Sequence, residues 1–481
     1  MKFITFFLIL SGIVTTEAFS QHQLDRYVPE TDPLVLEKLE EWQDLKFGLL
    51  MHWGPYSQWG IVESWSICAE DEGWCRRKDD DYTRYKEDYE DLQLSFNPVR
   101  FDPSKWAAAA REAGMKYLVF TTKHHDGFCM FDTRETDYKI TGEKTPFHVN
   151  PKADVTKEIF NAFRAEGLWT GAYFSKPDWH SEYYWWPNFA TPDRNVNYSV
   201  NSYPERWENF VQYTHSQIME LMTGYGNVDI LWLDGGWVKK RSPEEVRKAY
   251  ETMNIEKPTR VQNQDIRMDE LVKKARAEQP GLIVVDRAVH GRNQNYLTPE
   301  NTVPEKALPY PWESCIISGG GWSWTPGAKY MSGREAVHML TRIVSRGGNL
   351  LLNVAPGPDG QWDEGAYRLL AEIGAWMDIN SEAIYGTRAL EPYEEGQLCY
   401  TSKGEDAIYA IFLPGEGEKM PGEISISGIE VPRGSHIEML GVKGKMKWRN
   451  KGDECLVSIP VSKIPSELAF ALKIIRPQGV K

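Results

Sequence analysis

The sequence predicts a parallel α/β barrel of the (β/α)8 (TIM) type, followed by a C-terminal antiparallel β-sandwich. Short apolar runs alternate with helical stretches up to about residue 380, a pattern typical of βαβ units and a parallel sheet. No glycine-rich phosphate-binding fingerprint follows the first apolar run, which favours a barrel over an open doubly wound sheet. Beyond about residue 385, short strands are separated by Gly, Pro and charged residues, as in a sandwich.

Six clear strands and one weaker strand are expected in the barrel, while an eighth cannot be discerned. The clear strands cover residues 46–54, 115–123, 168–175, 229–234, 282–287 and 349–354, and the weaker one covers 311–316. Helices are expected at 33–45, 101–113, 154–166, 203–223, 268–278, 333–345 and 364–380. The acidic, Tyr-rich segment 79–91 is expected to be a loop over one face of the barrel.

The C-terminal region is expected to contain six short strands, at residues 399–401, 407–412, 423–426, 445–448, 455–459 and 468–475. We therefore divide the chain into a leader (1–20), a catalytic barrel domain (21–388) and a β-sandwich domain (389–481). For the sandwich, a structural role against the barrel is favoured over glycan binding.

The first 20 residues have the composition of a secretory signal peptide. Lys2 precedes an apolar run over residues 3–14 that is too short to span a bilayer, and small residues lie where a signal peptidase cuts. The mature chain is expected to start near Gln21, to be secreted or periplasmic, and to have no membrane attachment after cleavage. In such a compartment Cys68 and Cys75, which flank a short loop, either form a disulfide or remain thiols.

Composition and charge exclude several classes of partner. The net charge of −14 and the pI of about 5.4 argue against nucleic acid or an anionic membrane as the main partner. The six cysteines show no CxxC spacing, so no zinc cluster is expected, and no cofactor is indicated. The 19 Trp and 23 Tyr residues supply flat faces that suit sugar rings.

Polar and aromatic side chains follow the predicted strands, and a barrel would bring these strand ends to one mouth. They are His52, His124, His125, Tyr173, Trp232, Asp234, Arg287 and Asn353. Adjacent residues on an extended strand point to opposite faces, so His124 and His125 would not chelate one ion without a bend. Neutral histidines that hydrogen-bond sugar hydroxyls explain these residues without a metal.

The available nucleophile is a carboxylate, because no Ser or Cys lies in a G-x-S-x-G context. Glycoside hydrolysis needs two carboxyl groups, one to attack the anomeric carbon and one to protonate the leaving oxygen. Asp234, at a strand end and before two glycines, fits the first role. Glu300, Glu305 and Glu313 are candidates for the second. Glu300 lies in a loop able to fold over the mouth, whereas Glu313 lies near a strand and would otherwise orient the site.

Four segments resemble the α-L-fucosidases of glycoside hydrolase family 29: residues 46–57, 122–129, 231–237 and 345–356. The resemblance extends from about residue 45 to the end of the chain and implies a (β/α) barrel with a C-terminal β-sandwich. It also implies a retaining double displacement, with Asp234 as the nucleophile. The segment Thr298-Pro299-Glu300 looks like the Thr-Pro-Glu that carries the acid/base in many members, with Glu313 as the alternative.

The resemblance further implies a set of fucose-binding residues: His52, Glu63, Trp65, His124, His125, Tyr173, Trp232, Arg287 and Trp324, the last facing the fucose methyl group. The expected activity is that of an exo-α-L-fucosidase on fucosylated glycans. Two alternatives stay open: a related retaining barrel glycosidase acting on another sugar such as α-galactose, and a catalytically silent carbohydrate-binding protein. The presence of Asp234 and a plausible acid argues against the silent protein.

Overall fold

The computed structural model describes residues 27–68, 75, 77–191, 193–253, 260–405 and 407–477. The predicted signal peptide lies outside these residues. Within them, none of the helices combines the length and apolar character needed to traverse a bilayer.

Seven parallel strands form a curved sheet with the spatial order β5-β4-β3-β2-β1-β7-β6. The strands are β1 (Phe47–Met51), β2 (Tyr117–Lys123), β3 (Trp169–Ser175), β4 (Ile230–Asp234), β5 (Ile283–Asp286), β6 (Glu313–Ile317) and β7 (Asn349–Asn353). Nearly all of their residues are buried, as expected for a parallel sheet covered on both faces. The six clear strands and the weaker one are confirmed, with small shifts at their ends.

Nine α-helices are present among the described residues, and seven of them match the predicted ones. They are α1 (Pro33–Leu45), α2 (Tyr82–Glu90), α3 (Pro103–Glu112), α4 (Val155–Ala165), α5 (Pro204–Gly224), α6 (Pro243–Glu251), α7 (Met268–Glu278), α8 (Gly333–Ser345) and α9 (Glu364–Asn380). The prediction of a loop at 79–91 was wrong because helix α2 occupies most of it. Asp81 caps this helix, and Tyr85 and Tyr89, four residues apart, form its buried face.

The gap between β5 and β6 is filled by a segment that we call the closing segment, residues 294–301. Its backbone forms a short parallel ladder with β6, in which Glu313 N–H donates to Leu297 O (2.8 Å) and Cys315 N–H donates to Pro299 O (3.1 Å). On the other side, Asn295 N–H donates to Val284 O of β5 (2.9 Å). Pro299 has no N–H to extend the ladder, which explains why no eighth strand could be discerned from the sequence.

The barrel strands alternate between an inner and an outer face, apart from an irregularity near the end of β2. On β4, Ile230 and Trp232 belong to the cluster inside the barrel, while Leu231 and Leu233 pack with the helices outside. Asp234 continues the inner series at the carboxyl end of the strand. The same alternation directs His52, Arg287, Ile317 and Asn353 toward the mouth. At the opposite end, α1 closes the barrel with buried side chains, and its Trp42 stacks on Tyr296 at 4.0 Å.

The C-terminal region consists of two antiparallel sheets, with the orders β12-β15-β10-β9-β8 and β11-β14-β13. The strands are β8 (Arg388–Glu395), β9 (Leu398–Lys403), β10 (Ala407–Phe412), β11 (Glu423–Ile426), β12 (His436–Met439), β13 (Trp448–Lys451), β14 (Glu454–Ser458) and β15 (Phe470–Ile475). Strands β8 and β12 were not predicted. On β10, Ile408 and Ala410 face the smaller sheet, whereas Tyr409 and Ile411 join the core shared with the barrel helices.

Candidate active site

A cavity of about 480 Å³ opens at the carboxyl ends of the barrel strands. Nine of the residues predicted from the sequence line it, and they come from five strand ends and two loop segments. The complete lining consists of Leu50, His52, Val62, Glu63, Trp65, His124, Tyr173, Trp232, Asp234, Arg287, Glu300, Cys315, Ile317, Gly320, Gly321 and Trp322.

Asp234 is held by three neighbours at the floor of this cavity. Tyr173 donates its hydroxyl to Oδ2 at 2.8 Å, Nη1 of Arg287 donates to Oδ1 at 3.3 Å, and Nε2 of His125 lies 3.8 Å from Oδ2. Burial alone would raise the pKa of the Asp234 carboxyl, but the positive charge of Arg287 and the hydroxyl of Tyr173 hold that pKa well below its ordinary value. The low pKa keeps the Asp234 carboxylate ionised near neutral pH.

Arg287 connects Asp234 with the second candidate carboxyl group. Its Nη2 forms an ion pair with Oε2 of Glu300, and Oε1 of Glu300 accepts a hydrogen bond from the indole N–H of Trp322 at 3.2 Å. Burial opposes the charge of Arg287, yet Glu300 and Asp234 raise its pKa well above the ordinary value. Glu300 is the most exposed member of this group, with 40% of its side chain accessible, so it lies at the cavity opening.

Glu63 is a third carboxyl group of the cavity, and it is almost completely buried. Its Oε1 accepts a hydrogen bond from the backbone N–H of Ser323 at 2.8 Å. Burial raises the pKa of Glu63 to about 8, and the nearby charges of Glu300 and Asp234 raise it as well. Below that pH Glu63 is a neutral acid that can donate a hydrogen bond into the cavity.

His52 and His124 are buried side chains that line the cavity, and Nδ1 of each ring is hydrogen-bonded to a neighbouring side chain. Nδ1 of His52 donates to Oδ1 of Asn353 at 2.9 Å, and Nδ1 of His124 is hydrogen-bonded to the hydroxyl of Ser64. Burial lowers the pKa of His52 to about 4 and that of His124 well below the ordinary value. Both rings are therefore neutral, with Nε2 left to interact with a ligand.

His125 does not line the cavity, although it adjoins Asp234. It lies in a cage of indole rings, with centroids 5.1 Å from Trp65, 5.1 Å from Trp179 and 5.2 Å from Trp237. Neither of its ring nitrogens has a hydrogen-bond partner among the described residues. Burial lowers the pKa of His125 to about 3, so a neutral imidazole packs beside the carboxylate.

Two further candidates lie away from the cavity wall. The indole of Trp324 donates to Asp363 at 3.0 Å, and the tryptophan that reaches the cavity is Trp322, which sequence reasoning missed. Both belong to the motif Gly-Trp-Ser-Trp, whose loop conformation decides which ring faces inward. Glu313 is buried inside the barrel, beneath the cavity, with no exposed surface.

In the part of the chain that the structure describes, no group of three or more His, Cys, Asp or Glu side chains is arranged to hold a metal ion.

The buried histidines predict a loss of stability in acid. A folded-state pKa of about 3 against an ordinary value of 6.5 means that unfolding takes up a proton on His125 between these pH values. Its contribution to the free energy of unfolding therefore falls by about 1.4 kcal/mol per pH unit as pH drops below 6.5. In His125→Phe, whose ring suits the indole cage, the melting temperature should fall less steeply with acidification than in the wild type. His436→Phe, at an exposed position, is the control, and curves of equal slope for His125→Phe and the wild type would contradict the prediction.

The chain is similar to known proteins over the region that contains the cavity. The family model described as Alpha-L-fucosidase matches residues 14–382, which include every residue that lines the cavity. Human tissue alpha-L-fucosidase is 28% identical over 479 residues, covering 95% of this chain and 92% of that protein.

Two solved structures support the same relationship. Alpha-L-fucosidase isoenzyme 1 from Paenibacillus thiaminolyticus has a TM-score of 0.73 and 29% identity, covering 92% of this chain and 100% of that chain. Thermotoga maritima alpha-fucosidase, solved with a mechanism-based inhibitor, has a TM-score of 0.71 and 26% identity, covering 94% of this chain and 100% of that chain. The fold is thus the barrel and β-sandwich of these enzymes, and the chain belongs to the α-L-fucosidase family of glycoside hydrolases.

Proposed function

We propose that this protein is a retaining exo-α-L-fucosidase that releases terminal L-fucose from fucosylated glycans by double displacement. The observation that carries the proposal is the pair of carboxyl groups, Asp234 and Glu300, held by the two Nη atoms of one guanidinium at the cavity. Carboxyl groups that share one arginine are close together. Closeness favours the separation of about 5–5.5 Å used by retaining glycosidases over the wider spacing of inverting ones.

Asp234 has the properties required of the nucleophile. It is ionised and lines the floor of the cavity, and Tyr173 and Arg287 each hold one of its oxygens in place. In the first step it attacks the anomeric carbon and forms a covalent glycosyl-enzyme, while the glycosidic oxygen leaves with a proton. Tyr173 and Arg287 donate to the carboxylate and hold it in place for in-line attack.

Glu300 has the position required of the acid/base, since it lies at the opening where the aglycone departs. In the first step the acid/base donates a proton to the departing glycosidic oxygen. In the second step the same group accepts a proton from the water that attacks the glycosyl-enzyme. Arg287, which contacts both Asp234 and Glu300, orients the two carboxyl groups relative to each other.

The remaining lining suits a 6-deoxy sugar. His52 and His124 offer neutral ring nitrogens and Glu63 a protonated carboxyl group to sugar hydroxyls. An apolar wall of Leu50, Ile317 and Trp322 supplies a surface for the methyl group. A hexose such as galactose would place a hydroxyl group against that wall. The hydroxyl group would have no hydrogen-bond partner there, which would weaken binding.

Replacement of Asp234 by Ala should abolish turnover, because Asp234 is the ionised carboxylate at the cavity floor that attacks the anomeric carbon. Hydrolysis of 4-nitrophenyl α-L-fucoside by the purified wild type and the variant, with and without chelator, measures the effect. We expect a loss of at least about 10³-fold in kcat and a fucose affinity within about tenfold of the wild type. Substantial residual activity in a clean preparation would exclude Asp234 as nucleophile. The absence of wild-type activity on fucosides would refute the proposed substrate.

Replacement of Glu300 by Ala should affect substrates according to their leaving group. Fucosylated oligosaccharides, whose leaving oxygen needs a proton, should lose about 10²–10⁴-fold in kcat/KM, whereas activated aryl fucosides should lose far less in the first step. Glu305→Ala is the matched control, because Glu305 lies exposed five residues further along the same loop. Equal losses on both substrate classes would assign the acid/base role to Glu313.

Export from the cytoplasm is proposed from the N-terminal sequence alone. The apolar run over residues 3–14 after Lys2, followed by Ala18 and Ser20, supports cleavage before Gln21 and secretion or periplasmic localisation. N-terminal sequencing of the mature protein from its host should begin at or near Gln21. A mature chain that begins at Met1 would refute this proposal.

A further inference from the structure

Glu313 is a buried acid that the proposed chemistry does not use. It is the first residue of β6 and belongs to the inner face of the barrel, two residues below Cys315, which lines the cavity. Two residues along a strand correspond to about 6–7 Å, so the Glu313 side chain lies one layer beneath the cavity floor. A carboxyl group at this depth is costly unless its oxygens are hydrogen-bonded.

Both oxygens of Glu313 accept hydrogen bonds from aromatic side chains. The hydroxyl of Tyr117 donates to Oε2 at 2.5 Å, and the indole N–H of Trp232 donates to Oε1 at 3.4 Å. Burial raises the pKa of Glu313 to about 7, although Tyr117, Trp232 and Tyr296 oppose the rise. The carboxyl group is thus part of a network of aromatic donors inside the barrel.

Trp232 connects this network to the reacting carboxylate. Its ring lines the cavity and stacks on Tyr173 with centroids 5.2 Å apart, and the guanidinium carbon of Arg287 lies 5.3 Å from its centroid. Tyr173 and Arg287 are two of the groups that hold Asp234. Any rotation of the Trp232 indole would therefore disturb both of these supports at once.

We propose that Glu313 is a positioning residue, which fixes the indole of Trp232 from inside the barrel and thereby orients Tyr173 and Arg287 around Asp234. This inference rests on the proposed function, in which Asp234 is the nucleophile. It assigns Glu313 a role other than that of the acid/base. What Trp232 requires from Glu313 is an acceptor oxygen at a fixed place, because an indole N–H can only donate.

Two substitutions of Glu313 differ in whether they keep a hydrogen-bond acceptor for Trp232. Glu313→Gln keeps an acceptor oxygen and the side-chain shape, whereas Glu313→Leu keeps the approximate volume and removes both acceptors. On 4-nitrophenyl α-L-fucoside we expect Glu313→Gln to stay within about threefold of the wild type in kcat/KM. Glu313→Leu should lose at least about tenfold, mostly in kcat, because the supports of Asp234 matter most in the transition state.

A double-mutant cycle tests whether Glu313 acts through Trp232. Trp232→Phe removes the indole N–H, so Glu313 has nothing left to fix in that background. The double variant Glu313→Leu/Trp232→Phe should therefore be within about twofold of Trp232→Phe alone. Fully multiplicative losses would overturn the proposal. Tyr117→Phe, which removes the other donor to Glu313, is the comparison variant and should have a smaller effect on kcat than Glu313→Leu.

Other outcomes are equally decisive. If Glu313→Gln loses as much activity as Glu313→Leu, and loses more on oligosaccharides than on the aryl fucoside, Glu313 transfers a proton and the positioning role is wrong. If Glu313→Leu does not fold, the cycle is performed with Glu313→Gln, and an equal loss in the wild-type and Trp232→Phe backgrounds overturns the proposal. Failure of the proposed function is distinguishable, because it appears as an inactive wild type or an active Asp234→Ala.

Discussion

The guanidinium of Arg287, held between Asp234 and Glu300, is the interaction on which the organisation of the site depends. Its single positive charge contacts both carboxyl groups. Nη1 contacts Asp234, and Nη2 contacts Glu300. Without Arg287, burial would raise the pKa of Asp234 and leave two mutually repelling acids in one cavity. With it, both carboxyl groups are oriented by the two ends of one guanidinium.

The surrounding side chains add few further charges to the site. Three buried histidines are neutral because burial lowers the pKa of each, and Glu63 is neutral because burial raises its pKa. The cavity wall thus offers several hydrogen-bonding groups to a sugar with few further formal charges. Aromatic rings exclude water around these groups and strengthen the remaining electrostatic interactions.

The barrel accounts for the precision of this arrangement. Asp234 and Arg287 lie at the ends of adjacent strands, β4 and β5, and Glu300 lies at the end of the closing segment that pairs with β6. Below them, inward-facing side chains form a packed interior that α1 closes at the far end. The C-terminal five-stranded sheet packs on the outer helices through one face and on the smaller sheet through the other, so it supports the barrel from outside.

The sequence by itself determined the order of strands and helices, because hydrophobic periodicity is a local property that short segments carry. It also identified Asp234, Arg287 and the histidines, since these side chains follow apolar runs that must end at one edge of a parallel sheet. Helix α2 was missed because its buried face is made of tyrosines within a strongly polar segment. Helix α6 was missed because it buries no side chain, although its capping box at Ser242 and Glu245 is a legible signal.

Only the tertiary structure decided which of several similar residues reaches the cavity. Trp322 and Trp324 are two residues apart in one glycine-rich loop, and the path of that loop depends on the hydrogen bonds from Asn353 to Trp322 O and from Ser323 N–H to Glu63. Glu300 and Glu313 were both candidates for the acid/base, and the structure places one at the opening and the other beneath the floor. The physical reason is that depth in the barrel and the closure between β5 and β6 arise from pairing between distant segments, which no local pattern encodes.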